Sequence, residues 1–230
     1  MGTTKSAVDK GYWENIYANR AWGQYPPEEL IRFIARNFKA TTNKSEVRVL
    51  EVGCGPGPNV WYLEREGFSV AGIDGSPTAI RQAQERLLAE KLPYHEPQVD
   101  LKVGDFSNLP WSDNSFDVVI DVEALYANTM DDIKRTLSEI KRTLKPGGLF
   151  FGKMFGEQTT GSDSGVTIES GTVQFPTTGP CAGNDISHFF TRDEFDVLFS
   201  AFSDVEIDQV QRTERCGSVQ IFEWLVRARK

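Results

Sequence analysis

Cysteine is scarce in this sequence. Three residues, Cys54, Cys181 and Cys216, are scattered over 230 positions. They form no Cys-x-x-Cys pair, so there is no disulfide framework to expect and no metal site. A reducing cytoplasm suits such a chain. Long apolar runs are missing too, and none approaches the ~20 residues that cross a bilayer. Residues 1–9 lack the apolar stretch of a secretory signal. No membrane partner is expected. Positive charge is also short: 25 Lys and Arg stand against 33 Asp and Glu, a net charge of −8. Phosphate contacts supply much of the affinity for nucleic acids, so no nucleic-acid partner is expected either. There is no internal repeat.

What is present is the composition of an ordinary folded domain, 39% hydrophobic and 25% charged. The length suits one domain. Strand-like apolar runs occur at 47–52, 69–73, 99–103, 116–121 and 149–154, with helical patterns between them. Ser76-Pro77 reads as an N-cap with proline in the first turn, and Ile80, Ala83, Leu87 and Leu88 follow as an apolar stripe. The next helix opens on Asp131 and Asp132 and buries Ile133, Leu137, Ile140 and Leu144. It closes on Lys141, Arg142 and Lys145 before Pro146-Gly147-Gly148, with charges matched to the helix dipole. Strands alternating with helices in this way imply βαβ units and a mostly parallel sheet.

Past residue 155 the pattern changes. Residues 156–187 hold Gly, Ser, Thr and Pro without a clear period and read as one long, functional or mobile loop. Thr191-Arg192-Asp193-Glu194 is a capping box, with Phe190 and Phe195 placed as a hydrophobic staple. Two alternating runs, 205–210 and 221–226, read as a closing antiparallel pair. At the other end, Tyr12, Trp13, Tyr17, Trp22 and Tyr25 form an aromatic stretch. It reads either as a cover for one end of the sheet or as a lid over a ligand.

The chemistry concentrates at strand ends. Val49-Leu50-Glu51-Val52-Gly53-Cys54-Gly55-Pro56-Gly57 is a strand entering a glycine-rich turn, where the backbone can approach a ligand closely. Asp74 ends the next strand, where an acid can bind both hydroxyls of a ribose. Asp105-Phe106 follows the third strand, an acid and a ring suited to adenine. The fourth strand runs through Asp121 into Val122, Glu123 and Tyr126. Leu144-Lys145-Pro146-Gly147-Gly148 precedes the fifth.

In this order and spacing, the blocks resemble the class I S-adenosylmethionine-dependent methyltransferases, over about residues 47–155 and more loosely over the whole chain. The resemblance implies a three-layer α/β sandwich: a seven-stranded, mostly parallel sheet of order 3-2-1-4-5-7-6 with strand 7 antiparallel. It divides the chain into an N-terminal helical cap (1–40), a cofactor-binding core (45–155), a variable substrate loop (156–187), and a closing helix with antiparallel strands (188–230). S-adenosylmethionine is the implied cofactor. Glu51, Gly53, Gly55 and Gly57 would surround its methionine end and Asp74, Gly75 and Ser76 its ribose. Asp105 and Phe106 would hold adenine, and Asp121 and Val122 would close the methionine side. Tyr12 and Trp13 match the aromatic cap of small-molecule members.

Methyl transfer needs a base only if the acceptor must lose a proton. His188, Tyr126 and Glu123 are the candidates, while His95 reads as surface. The implied acceptor is a small molecule, a metabolite, natural product or sugar, methylated on oxygen or nitrogen by a monomer or homodimer. A protein or peptide acceptor, or a non-catalytic cofactor-binding subunit, is the alternative. A nicotinamide dehydrogenase shares the glycine loop and the acid after strand two. It needs neither Asp105-Phe106 nor Leu-Lys-Pro-Gly-Gly.

Overall fold

Apolar side chains alternate along the central strands and feed two separate cores. Val49, Val118, Ile120 and Phe151 face one, while Leu50, Val119 and Phe150 face the other. A sheet covered on both faces is the physical reason these strands read as continuous apolar runs. The structure, a computed structural model, describes residues 10–90 and 99–230. His95 and the 1–9 stretch lie outside the described residues.

The elements run in the order α1 (Lys10–Asn19), α2 (Glu28–Phe38), β1 (Arg48–Val52), α3 (Pro58–Arg65), β2 (Ser69–Asp74), α4 (Pro77–Ala89), β3 (Val99–Val103) and β4 (Phe116–Val122). Then come α5 (Met130–Thr143), β5 (Leu144–Phe155), β6 (Val166–Glu169), β7 (Thr172–Gln174), β8 (Ile186–His188), α6 (Arg192–Leu198), β9 (Ser203–Glu214) and β10 (Val219–Arg229). The main sheet has seven strands in the order β3-β2-β1-β4-β5-β10-β9. The β1, β2, β3, β4 and β5 pairings are parallel, and β10 is antiparallel to both its neighbours. Counted within this sheet alone, the order is 3-2-1-4-5-7-6, as the resemblance implies. Leu30, Phe33 and Ile34 of α2, Val60 and Leu63 of α3 and Ile80 of α4 pack on one face. Ile133, Leu137 and Ile140 of α5 and Phe195 of α6 pack on the other.

Local signals place the helix starts. Ser76 Oγ accepts from the Ala79 N–H and caps α4. Glu194 Oε2 accepts from the Thr191 N–H at 2.7 Å, and the Phe190 and Phe195 rings stack at 5.5 Å as a staple. Three expectations change. Leu88 points outward at 75% exposure, and Leu87 carries the end of the α4 stripe instead. The α5 helix stops at Thr143, and Leu144 already pairs with Phe116, so Lys145-Pro146-Gly147-Gly148 begins β5 rather than ending the helix. Residues 156–187 are not an irregular loop. They contribute β6, β7 and most of β8 to a second, antiparallel sheet of order β6-β7-β8, closed over buried Val173, Cys181 and Ile186.

Candidate active site

The carboxyl ends of β3, β2, β1 and β4 lie side by side in that order, and each is followed by a residue that reaches the same cavity. Among the described residues, a cavity of about 280 Å³ is lined by Gly53, Asp74, Gly75, Asp105, Phe106 and Glu123 from this edge. Val103, Gly104, Ala124, Ala127, Asn128 and Asp132 complete the wall, and Trp13, Tyr17 and Trp22 roof it. Four lining side chains are carboxylates and none is basic. The volume lies near the lower end of ordinary ligand pockets, ~300 Å³.

The glycine loop is shaped by its neighbours. Gly53 has φ +65°, and a Cβ there would lie 2.2 Å from the Ala124 Cβ. The Gly55 N–H donates to Asp74 Oδ2 at 2.9 Å, and the Ser76 N–H donates to Asp74 Oδ1 at 2.8 Å. Asp74 thus braces the loop after β1 and the turn after β2, while its side chain borders the cavity. Burial pushes its carboxyl above the usual aspartate value, against those two backbone hydrogen bonds. Asp105 Oδ1 accepts from the Ser107 N–H and hydroxyl at 2.9 and 2.7 Å, which fixes the turn that presents Phe106.

Two more acids sit behind the wall. Glu51 is 1% exposed; Asn59 Nδ2 donates to its Oε1 at 2.6 Å, and its Oε2 has no partner. Burial raises its carboxyl to about 8. Asp121 is fully buried, and its Oδ1 accepts from the Ala124 and Leu125 N–H groups at 3.1 and 2.9 Å. Its Oδ2 also lacks a partner, and burial raises it to about 7. Buried acceptors without donors favour a cation nearby. An ammonium or sulfonium group would answer that need, so these residues fit S-adenosylmethionine.

The roof is α1. Glu14 accepts from the Ser76 hydroxyl, from Thr78 N–H at 3.1 Å and from Thr78 Oγ1 at 2.6 Å, tying α1 to the start of α4. Gln82 Nε2 donates to Tyr17 O at 3.0 Å. Tyr17 is 7% exposed and its hydroxyl lies over Gly55. Trp13, Tyr17 and Trp22 pack ring against ring.

Several expected site residues lie elsewhere. Gly57 caps α3, Ser76 caps α4, and Val122 is the last residue of β4; none of the three lines the cavity, nor does Gly55. Tyr12 turns away and donates to Gly183 O at 3.0 Å. Tyr126 is buried, and its hydroxyl accepts from Asn184 Nδ2 at 3.0 Å. Burial pushes its acidity well below that of a free phenol. His188 is fully buried, 2.7 Å from Thr172 Oγ1 through Nδ1, with Glu194 3.4 Å from Nε2. It joins the small sheet to α6. Of the three candidate bases, only Glu123 borders the cavity.

The sequence reading missed what stands behind Glu123. Lys153 of β5, 3% exposed, pairs with both Glu123 and Glu223. Glu223 of β10 is fully buried and receives Arg212 Nη1 at 2.6 Å. The signal lay in the strand runs themselves: Lys153 interrupts 149–154 and Glu223 interrupts 221–226.

Comparison with known proteins agrees with this geometry. Residues 49–148 match the family described as "Methyltransferase domain". Over that stretch the chain is similar to methyltransferase domains, in keeping with the class I S-adenosylmethionine-dependent resemblance of its motifs. It is 33% identical over 150 residues to a probable phthiotriol/phenolphthiotriol dimycocerosates methyltransferase 2 of Mycobacterium ulcerans, covering 60% of this chain and 55% of that protein. It is 38% identical over 150 residues to the phthiotriol/phenolphthiotriol dimycocerosates methyltransferase of Mycobacterium tuberculosis, covering 60% of this chain and 52% of that protein. The chain thus spans about half the length of these relatives. A crystal structure of an S-adenosylmethionine-dependent methyltransferase from Methanosarcina mazei matches with a TM-score of 0.68 at 27% identity, over 80% of this chain and 92% of that one. No helix among the described residues is long and apolar enough to cross a membrane.

Proposed function

We propose that this chain transfers the methyl group of S-adenosylmethionine to an oxygen or nitrogen of a small-molecule acceptor. The observation that carries this reading is the row of acids along one sheet edge: Asp105, Asp74 and Glu123 at a cavity without a basic side chain. The cofactor supplies an activated methyl group on a sulfonium, so the protein's work is alignment and exclusion of water. Asp74 would hold the ribose hydroxyls while keeping the glycine loop closed. Asp105 and Phe106 would hold adenine. Glu51 and Asp121 would face the cationic methionine end. Trp13, Tyr17 and Trp22 would shut the roof. Glu123 is placed to take a proton from the acceptor.

The acceptor class has support from two sides. The mycobacterial relatives are named for methylation of phthiotriol dimycocerosates. The cavity itself is apolar in its roof and acidic in its floor, which suits an acceptor with an apolar body and a hydroxyl or amine. The test is calorimetric titration of the purified chain with S-adenosylmethionine, S-adenosylhomocysteine and NADH in parallel. Binding of the two sulfur ligands alone is the expected outcome. NADH binding, or no binding of either sulfur ligand, would overturn the reading. Screening hydroxyl- and amine-bearing metabolites and lipids for methyl transfer then identifies the acceptor.

A further inference from the structure

Glu123 just past the end of β4, Lys153 on β5, Glu223 on β10 and Arg212 on β9 stand one after another across adjacent strands of the sheet. Their charges alternate in sign from the cavity wall to the exposed edge. Glu123 opens to the cavity with one-third of its side chain exposed, at 33%. Lys153 and Glu223 are buried, at 3% and 0%. Arg212 ends the row, about half exposed at 49%. The Glu123 and Glu223 carboxyls are also within hydrogen-bonding reach of each other.

Three features set this row apart from a structural ion cluster. Glu123 adopts φ +57°, a left-handed conformation that costs a non-glycine residue energy and gathers at functional sites. The loop after β4 therefore presents this carboxylate at a conformational cost. Burying the charges of Lys153 and Glu223 is also no route to stability, because well-packed apolar residues serve as well or better. Position is the third feature. The strand order puts Asp105 and Phe106 at the β3 end of the cavity and Glu123 at the β4 end, opposite the expected adenine site.

We propose that the row is the proton acceptor of the transfer: Glu123 takes the acceptor's proton and shares it with Glu223, while Lys153 positions both carboxyls. This rests on the methyl-transfer reading above. In the step, the acceptor's O–H or N–H bond breaks and its proton goes to a Glu123 carboxylate oxygen. The electron pair left on the acceptor forms the bond to the methyl carbon. The carbon–sulfur pair stays with the departing sulfide, and no oxidant or reductant is needed. Glu123 is the catalytic residue; Lys153, Glu223 and Arg212 are positioning residues.

The environment pushes the two carboxyls apart in acidity. Burial works to raise Glu123, but the attraction of Lys153 and its hydrogen bonds to Glu223 and Lys153 outweigh burial and hold it below the ordinary value. Burial and the neighbouring Glu123 push Glu223 up to about 7. Glu123 is thus ionised near neutrality, though a weaker base than a free carboxylate, and its partner Glu223 is half-protonated there. Asp121 on β4, Tyr126 in the following 3-10 turn and Cys181 beside the small sheet are the other titratable groups that feel Glu123.

The test uses the full chain labelled with ¹³C at the glutamate carboxyl carbons, titrated from mildly acidic to mildly alkaline pH with S-adenosylhomocysteine bound. The expected result is a pair of resonances that titrate together, with an upper step near neutrality. Glu223→Gln removes that step, and Lys153→Met raises the Glu123 step. Glu123→Gln, on the partly open cavity wall, buries no new charge and provides a folded control that also removes the coupling. Tritiated methyl transfer to a mixture of small phenols, primary alcohols and primary amines gives the second readout. Glu123→Gln lowers kcat about a hundredfold, as loss of a general base does, and leaves S-adenosylhomocysteine affinity unchanged. Glu223→Gln moves the pH profile of kcat. Carboxyls that titrate independently, or Glu123→Gln turning over at the wild-type rate, would overturn the proposal. Where no probe is methylated, the titration decides it. A wild-type chain that fails to bind S-adenosylhomocysteine would instead sink the methyl-transfer reading itself.

Discussion

At the scale of single residues, the site depends on acids whose protonation is set by burial. Glu51, at about 8, and Asp121, at about 7, hold protons near neutrality in the ligand-free fold. A cofactor ammonium brought beside them favours their ionised forms and lowers both values. Cofactor binding at neutral pH is therefore expected to release protons. Calorimetry of S-adenosylhomocysteine binding in buffers of different ionisation enthalpy measures that release directly. Glu51→Gln is expected to reduce it, and a binding enthalpy independent of buffer would count against the assignment. Asp74→Ala removes the acceptor of two backbone N–H groups as well as the expected ribose contact. The cost to cofactor binding is about 1–3 kcal/mol, that of an unmade charged hydrogen bond, and calorimetry checks this too. The identities of these acids were legible in the sequence because each lies at or beside the end of an apolar run. Their protonation was not, since it follows from how deeply the folded chain buries them.

At the scale of elements, α1 is the piece whose stability is borrowed. A helix of ten residues is marginal in water, so contacts outside it decide whether it stays. The bonds of Glu14 to Thr78 at the start of α4 and of Tyr12 to Gly183 supply two of them. Glu14→Ala is expected to speed dissociation of S-adenosylhomocysteine by about tenfold, because affinity changes at one site appear mostly in the off-rate. Stopped-flow fluorescence of Trp13 and Trp22, which line the cavity, reports the rate. An unchanged off-rate would mean that α1 is no gate. The aromatic spacing of this helix was visible in the sequence, but its anchor was not, because Glu14 and Ser76 come together only in the fold. The second sheet was hidden for a different reason. Its strands are three or four residues long and rich in Thr and Ser, too short for alternation to register. In the main sheet each strand but the edge β9 is predominantly apolar, so the order of elements showed through. The charge row was legible only as two interruptions, Lys153 and Glu223, in otherwise apolar runs. Their meeting depends on β10 inserting between β5 and β9.

At the scale of the whole molecule, the buried acids give the fold a distinctive response to pH. Glu51 and Asp121 are raised well above their unfolded values, roughly 4.3 and 3.9. Between those values and about 7 to 8, the folded chain binds more protons than the unfolded chain. Stability therefore falls as pH rises through this window. Glu123, Glu139 and Glu194 are shifted the other way by lysine, arginine and histidine partners, against burial. Their contribution is present above the ordinary glutamate range and is lost as pH falls through their lowered values. The two trends place the stability maximum in the mildly acidic range rather than at neutrality. Thermal unfolding across pH is expected to show that maximum without ligand. S-adenosylhomocysteine, by placing an ammonium beside the buried acids, is expected to stabilise the fold more on the alkaline side than on the acidic side. A melting temperature that rises steadily from acid to alkaline pH would show that these carboxyls are ionised in the free fold, and that the cavity floor is wetter than its burial implies.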